Sequence, residues 1–297
     1  MSSHACSSNS AILPKRPYGH KGIELSVVGF GGIVVTNEKQ EDANRLVAEA
    51  VERGVNYFDV APSYGDAIDR LGPALEPYRQ DVFLACKTGR RQVEEAEAEL
   101  RQSLQRLRTD YFDLYQLHGL THVARDVDVL FERGGVMDML AEAKKVGQIR
   151  HLGFSAHSVD AAFAAMDRFD FDSVLFPLNF AAYYKGHFGA QIMERAQQRG
   201  LACLALKSMA RQLRPEGAAK PTEYAKCWYE PITELEQAAM ALRWTLSQPV
   251  TAAIPPGEEK LFRLALDAAC ERIDITGGEI EQLKAIAEFL NPVFSAP

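Results

Sequence analysis

The sequence predicts an α/β protein built as a (β/α)8 TIM barrel with an N-terminal β-hairpin and an extra C-terminal helix. Eight short apolar runs alternate with longer amphipathic segments along the 297 residues, which is the pattern of parallel βαβ units. No linker divides the chain, and α/β barrels of this length commonly form one domain. We therefore assign residues 1–12 to a disordered tail and residues 13–297 to a single barrel domain.

An open, doubly wound sheet is the alternative architecture. It favours a G-x-G-x-x-G turn after the first strand, but the chain has Gly29-Phe30-Gly31-Gly32 there. The strand candidates are rich in Val, Leu, Phe and Tyr, as expected for parallel strands that are buried on both faces. They span residues 24–30, 56–60, 81–87, 111–118, 151–155, 173–178, 201–207 and 251–254.

Apolar residues recur at helical spacing between these strands. The predicted helices span residues 41–54, 92–109, 136–148, 159–169, 190–200, 234–247 and 260–270. Residues 12–25 hold two short extended runs around a glycine-flanked turn, which predicts a hairpin that closes the N-terminal face of the barrel. Residues 276–297 predict one more helix with an irregular end. Residues 210–229 form the longest loop that could cover a site.

The composition excludes several classes of function. A formal net charge of −7 argues against a nucleic-acid-binding protein, which normally presents a basic face. No apolar run of 18 residues is present to span a membrane, and the first dozen residues lack the pattern of a secretory signal. Five cysteines without a C-x-x-C motif argue against a disulfide framework or a cysteine-based metal site. We expect a cytoplasmic protein without a metal that acts on a small molecule.

Four titratable residues are expected at one rim of the barrel, where this fold places its active sites. The second, third and fourth predicted strands end at Asp59, Lys87 and His118, and Tyr64 follows Asp59 by five residues. Each residue alone has a structural explanation, such as an ion pair or packing, but their convergence favours catalysis. We expect Lys87 to lower the pKa of Tyr64, so that the tyrosine exchanges a proton with a carbonyl oxygen. Carbonyl reduction would also need a hydride from a cofactor.

The chain resembles the aldo-keto reductase superfamily over roughly residues 17 to 290. The resemblance lies in GVNYFDVAPSYG (54–65), DVFLACKTG (81–89), SLQRLRTDYFDLYQLH (103–118), GQIRHLGFSAHS (147–158) and VTAAIPPG (250–257). It implies a barrel that binds NADP, with NAD as the alternative, and that reduces a small-molecule carbonyl substrate. It also implies a catalytic tetrad, with Tyr64 as the proton donor: Asp59, Tyr64, Lys87 and His118.

The resemblance is less regular at the cofactor positions. The candidate cofactor contacts follow the fifth to eighth strands: Ser155, Asn179, Lys207, Ser208, Pro255, Gly257 and Arg263. Four positions depart from the usual family residues, since the family commonly has Asn, Gln, an aromatic residue and a cation there. The residues found instead are Ala156, Leu175, Leu206 and Pro256.

Two other functions compete with carbonyl reduction. The four departures favour a regulatory or sensing protein that binds a nicotinamide nucleotide with little turnover, whereas the intact tetrad argues against it. A lyase that uses Lys87 as a Schiff-base amine ranks lower, because Asp59 is expected to keep that amine charged. The physiological substrate, the choice between NADP and NAD, and the oligomeric state are left open by the sequence.

Overall fold

Eight parallel strands form the barrel in the computed structural model, which describes residues 12–217 and 222–296. The barrel strands are β3 (Phe30–Gly31), β4 (Tyr57–Asp59), β5 (Phe83–Thr88), β6 (Phe112–Leu120), β7 (Ile149–Ala156), β8 (Ser173–Pro177), β9 (Ala202–Leu206) and β12 (Ala252–Ile254). They pair in this sequence order. A parallel bridge between Val28 and Ala253 joins the first strand region to the last. The predicted (β/α)8 barrel is confirmed.

The helices that surround the sheet are α1 (Gln40–Glu52), α2 (Ala67–Leu75), α3 (Val93–Arg106), α4 (Val136–Lys145), α5 (Val159–Arg168), α6 (Phe180–Tyr184), α7 (Ala190–Gln198), α8 (Leu235–Ser247), α9 (Glu259–Glu271) and α10 (Gly277–Ala287). The eight predicted helices, including the C-terminal one, are confirmed with ends that shift by a few residues. Helices α2 and α6 were not predicted from the sequence. Helix α2 contains Gly72 and Pro73, which predict an interruption, and α6 is only five residues long.

The first predicted strand, residues 24–30, is wrong as a single element. Its first half is β2 (Glu24–Ser26), which pairs antiparallel with β1 (Lys15–Pro17), and only Phe30 and Gly31 form the barrel strand β3. The hydroxyl of Ser26 donates to the carbonyl of Val28 at 2.8 Å, which turns the chain between the two halves.

The β1–β2 hairpin closes the bottom of the barrel, as predicted. Tyr18, in its turn, is fully buried and donates a hydrogen bond to the hydroxyl of Ser173 at the start of β8, at 2.8 Å. Its ring lies 5.1 Å from that of Phe83 at the start of β5. Thr251 donates to the carbonyl of Pro17 at 2.9 Å. The N-terminal ends of three strands are thus covered by the hairpin.

An apolar cluster fills the barrel above the hairpin, with Tyr57, Phe83, Leu114 and Leu204 among its buried members. A larger cluster lies between the strands and the helices. The polar strand ends therefore rest on a packed floor, which fixes their positions. Among the described residues, no helix is long and apolar enough to cross a membrane. The predicted tail lies outside the described residues except for Ile12.

The longest predicted loop holds a small sheet of its own. Strand β10 (Ala210–Gln212) pairs antiparallel with β11 (Glu230–Pro231), so the connection between β9 and α8 begins and ends at one place above the barrel. Residues 218–221 of this connection lie outside the described part of the chain.

Candidate active site

The structure brings the four predicted tetrad residues together at the C-terminal rim of the barrel. Asp59 is the last residue of β4, Lys87 lies near the end of β5, and His118 lies in the last third of β6. The carboxylate of Asp59 forms an ion pair with the ammonium of Lys87, which is fully buried. The hydroxyl of Tyr57 donates to the same carboxylate at 3.3 Å, so Asp59 is held from two sides.

Tyr64 lies across this ion pair, in the loop between β4 and α2. The ammonium of Lys87 is 5.5 Å from the centre of the Tyr64 ring. The rings of Tyr64 and His118 meet edge to face, with centroids 5.7 Å apart and planes at 82°. The loop is fixed because Thr36 donates to the carbonyl of Tyr64 at 3.2 Å and Gly65, with φ of +60°, allows the turn that follows.

Burial sets the protonation states of this group more strongly than the sequence analysis expected. Burial raises the pKa of Tyr64, and the attraction of Lys87 only partly opposes it, so the predicted lowering of this pKa is wrong. Burial acts to lower the pKa of Lys87, but Asp59 and Tyr64 outweigh it and the net pKa lies above the usual value. Lys87 is therefore charged while Tyr64 keeps its proton.

His118 is neutral in this environment. Burial lowers the pKa of His118 to about 3, and the positive charge of Lys87 acts in the same direction. A neutral imidazole has one donor and one acceptor nitrogen. His118 is thus suited to orienting a carbonyl group by a hydrogen bond, and at neutral pH it lacks the second ring proton that a general acid would transfer.

Three of the predicted cofactor residues lie buried at the ends of neighbouring strands. Ser155, near the end of β7, accepts a hydrogen bond from the backbone N–H of Gly119 at 2.8 Å. Asn179 follows β8 and uses its side-chain oxygen to cap α6. Within the described residues, neither the amide nitrogen of Asn179 nor the hydroxyl of Ser208 has a hydrogen-bond partner. Buried polar atoms normally have partners, so these two retain capacity for a ligand with a carboxamide.

A pocket with a cavity volume of about 100 Å³, or about 600 Å³ when the part open to solvent is included, joins two of the tetrad residues to three other predicted residues. Asp59 and Tyr64 line it together with Lys207, Pro255 and Gly257. Gly257 is required by close packing, because a Cβ there would lie 2.4 Å from the side chain of Ile33.

Arg263 is not brought to this pocket. It lies on α9, where its guanidinium binds Glu49 at 2.7 to 3.1 Å and also pairs with Glu259. Lys260, another cation of α9, pairs with Glu223 on the surface. Both positive charges thus already have acidic partners.

Comparison with known proteins agrees with this geometry. A model of the aldo/keto reductase family matches residues 27–288. The chain belongs to the aldo/keto reductase family. Family membership supports oxidoreductase activity on carbonyl groups as the general class of function.

Similar proteins cover nearly the whole of this reductase. The uncharacterized oxidoreductase YqkF of Bacillus subtilis is 27% identical over 91% of this chain and 95% of its own length. L-galactose dehydrogenase of Arabidopsis thaliana is 24% identical, over 94% of each chain. The solved holo form of an aldo-keto reductase from Bacillus halodurans has a TM-score of 0.72 at 23% identity, covering 92% of this chain and 96% of its own.

The loop that was predicted to cover a site reaches the pocket through its last two residues. Trp228 and Tyr229 line the pocket from the connection between β9 and α8. Phe294, from the C-terminal segment, lies against Trp228 with ring centroids 6.4 Å apart. Neither segment has a periodic pattern, so no sequence signal showed that the two would meet above the barrel.

Lys226 fastens this covering segment to the barrel. Its ammonium donates to the carbonyl of Val34 and to the carboxylate of Glu38, each at 2.7 Å. Its backbone N–H donates to the carboxylate of Glu258, the residue that precedes α9. The segment thus lies along the rim between the β3 loop and the start of α9.

Proposed function

We propose that this protein is an NAD(P)H-dependent reductase that converts aldehyde or ketone carbonyls to alcohols, with Tyr64 as the proton donor. The observation that carries the proposal is the position of Tyr64 over the buried ion pair of Lys87 and Asp59, with His118 at its edge. Asp59 and Tyr64 line one pocket at this rim, and His118 lines a second cleft.

The roles of the four side chains follow from their charges. Tyr64 is protonated at rest because burial raises its pKa, so it has a proton for the carbonyl oxygen. As negative charge develops on the phenol oxygen, the buried ammonium of Lys87 stabilises it. Asp59 keeps that ammonium charged and in place. The neutral His118 orients the carbonyl by donating a hydrogen bond.

A nicotinamide cofactor, when bound, supplies the electrons and the hydrogen that the carbonyl carbon receives. The amide of Asn179 and the hydroxyls of Ser155 and Ser208 would hold its carboxamide, since each is buried at a neighbouring strand end. The backbone at Pro255 and Gly257 would approach the rest of the nucleotide. The proposed cofactor is NADP, with NAD as the alternative. Arg263 would have to leave Glu49 to bind a phosphate.

Two measurements test the proposal. Titration of the purified protein with NADPH and with NADH, followed by protein fluorescence, measures binding of each nucleotide. Absorbance of the reduced nicotinamide then measures turnover with a panel of aldehydes and ketones. Saturable binding with consumption of the nucleotide is the expected result. Tight binding without turnover on any carbonyl would favour the regulatory or sensing alternative and overturn the proposal.

A further inference from the structure

One side of the pocket is positively charged and lacks a balancing acid. Lys207 directly follows β9 and lines the pocket that also contains Tyr64. Among the described residues, Lys207 forms no ion pair with a carboxylate, whereas Lys226 in the same pocket pairs with Glu38, and Lys87 pairs with Asp59. Lys207 is half-buried, and a cation held partly out of water without an ionic partner is costly, so this position favours a ligand that brings a negative charge.

The backbone holds Lys207 in place by an unusual conformation. Its φ is +63°, in the left-handed region that residues other than glycine rarely adopt. Such strain is typical of functional positions, where the surrounding structure imposes it. The conformation places the ammonium 5.5 Å from the ring centre of Trp228 and 5.2 Å from that of Phe294. The two rings come from different segments, touch each other edge to face and both lie close to the charge.

A neutral histidine lies beside this charge. His157 follows β7, and its ring is 5.0 Å from that of Phe294. Burial lowers the pKa of His157 to about 4, and the charge of Lys207 adds to the lowering. Lys207 also contributes to the low pKa of His118. The cation is therefore close to the group that would orient the carbonyl. The start of α9 is a different part of the rim, where the Glu258 carboxylate contacts Lys226.

We propose that the substrate of this reductase carries a carboxylate in addition to its carbonyl group, and that Lys207 and His157 bind that carboxylate beside Trp228 and Phe294. This inference rests on the proposed function. The carbonyl lies at Tyr64 and His118, and the carboxylate lies across the pocket from Tyr64. Lys207 supplies the ion pair, His157 donates a hydrogen bond, and the two rings contact the apolar part of the substrate.

Burial also explains how an anion would be recognised by this lysine. Burial lowers the pKa of Lys207 to about 7, so that the unliganded ammonium is only partly protonated near neutral pH. A bound carboxylate stabilises the charged form and raises that pKa. A neutral substrate of the same shape gains nothing from Lys207. A charge-assisted hydrogen bond corresponds to about a tenfold to a hundredfold preference for the anion.

The test compares two aldehydes that differ in one charge, 4-carboxybenzaldehyde and its methyl ester. The quantity measured is the ratio of kcat/KM for the acid to kcat/KM for the ester. In the unmodified reductase we expect a ratio above one. Lys207→Met should lower it about tenfold or more, and Lys207→Arg should restore part of it. Lys145→Met removes an exposed lysine that pairs only with Glu142 and serves as the control for net charge.

The phosphates of the cofactor are the other source of negative charge, and a binding measurement distinguishes them. If Lys207→Met weakens NADPH binding and leaves the acid-to-ester ratio unchanged, Lys207 holds the cofactor and the inference is overturned. If the ester is reduced as well as the acid by the unmodified protein, carbonyl reduction stands and the carboxylate site fails.

A binding measurement that needs no turnover tests the carboxylate site independently of carbonyl reduction. The protein is titrated with 4-(hydroxymethyl)benzoate, the product of the acid aldehyde, and binding is followed by protein fluorescence. The methyl ester of this product is the neutral control. Tighter binding of the acid that Lys207→Met removes supports the carboxylate site even if neither aldehyde is reduced. Equal binding of acid and ester overturns it. Thermal unfolding of each variant shows that the comparison is made on folded protein.

Discussion

The ammonium of Lys87 is fully buried and forms an ion pair with the carboxylate of Asp59, directly beneath the ring of Tyr64. The two residues end neighbouring strands, β4 and β5, so the barrel itself sets their separation. Each charge is buried only because the other balances it. The pair therefore links the stability of the barrel to the electrostatics of the proposed reaction.

Lys87→Met is expected to lower both stability and activity. It leaves the Asp59 carboxylate buried with Tyr57 as its remaining donor, and loss of one partner of a buried pair costs about 3–5 kcal/mol. The loss of positive charge near Tyr64 should lower turnover by about 10²-fold. Denaturant unfolding and the nicotinamide absorbance assay measure the two effects.

The double variant Asp59→Asn with Lys87→Met is the matched control for that experiment. It removes both charges, so it should recover part of the lost stability without recovering activity. If the double variant is as unstable as Lys87→Met alone, an unpaired buried carboxylate is not the cause of the destabilisation.

Tyr64→Phe removes the proposed proton donor while keeping the ring that packs against His118. Turnover should fall by about 10²-fold or more, which is the range of general acid catalysis, while the dissociation constant of NADPH stays nearly the same. Tyr18→Phe is a useful comparison, because it removes a buried hydroxyl at the opposite end of the barrel. Unchanged turnover in Tyr64→Phe would show that another group delivers the proton.

His118 should not titrate in the pH range where histidines usually do. Burial lowers its pKa to about 3, so the imidazole is neutral above that pH and becomes protonated only below it. The dependence of kcat on pH is measured between pH 5 and 8 with methyl 4-formylbenzoate. Any transition seen in the unmodified protein should also be present in His118→Gln. A transition near pH 6.5 that disappears in His118→Gln would mean that the histidine carries a proton in the reaction.

The tetrad was predictable from the sequence because strand ends meet at one rim in this fold. Asp59, Lys87 and His118 each follow an apolar run, and that local pattern is sufficient to place them together. The direction of the Tyr64 pKa was not predictable, because it depends on how completely the folded protein removes water from the ring. Phe294 was also unassigned, because its contact with Trp228 arises from tertiary packing of two irregular segments.

The partners of the predicted cofactor residues could not be predicted from the local sequence either. Arg263 has the charge expected of a phosphate contact, but its partner Glu49 lies on α1, more than 200 residues earlier in the chain. A sequence pattern around Arg263 contains no information about that partner. Helix α2 was missed for a related reason. Gly72 is tolerated within it because the helix packs closely against the backbone of Arg106 at the end of α3, where a Cβ would lie only 2.2 Å from the carbonyl oxygen.

A buried carboxylate at the bottom of the barrel, that of Asp172, connects the hairpin to the strands. Asp172, just before β8, accepts a hydrogen bond from the backbone N–H of Leu152 at 2.9 Å. It also pairs with Lys144 at 3.2 Å and with Lys21, next to the hairpin turn, at 2.7 Å. Burial alone would raise the pKa of Asp172, but His151, Lys21 and these other donors outweigh it and hold the pKa well below its usual value.

Asp172→Asn should therefore destabilise the protein at pH 7 by about 1–3 kcal/mol, the scale of a hydrogen bond to a charged group. Because the folded protein depresses this pKa, the stabilisation is fully present above about pH 4 and is lost as the pH falls further. The difference in unfolding free energy between the two proteins should then narrow below pH 4. Asp170→Asn, at a fully exposed carboxylate two residues earlier, should change stability little at any pH. A constant difference from pH 7 to pH 2 would mean that the charge of Asp172 does not connect the hairpin to the barrel.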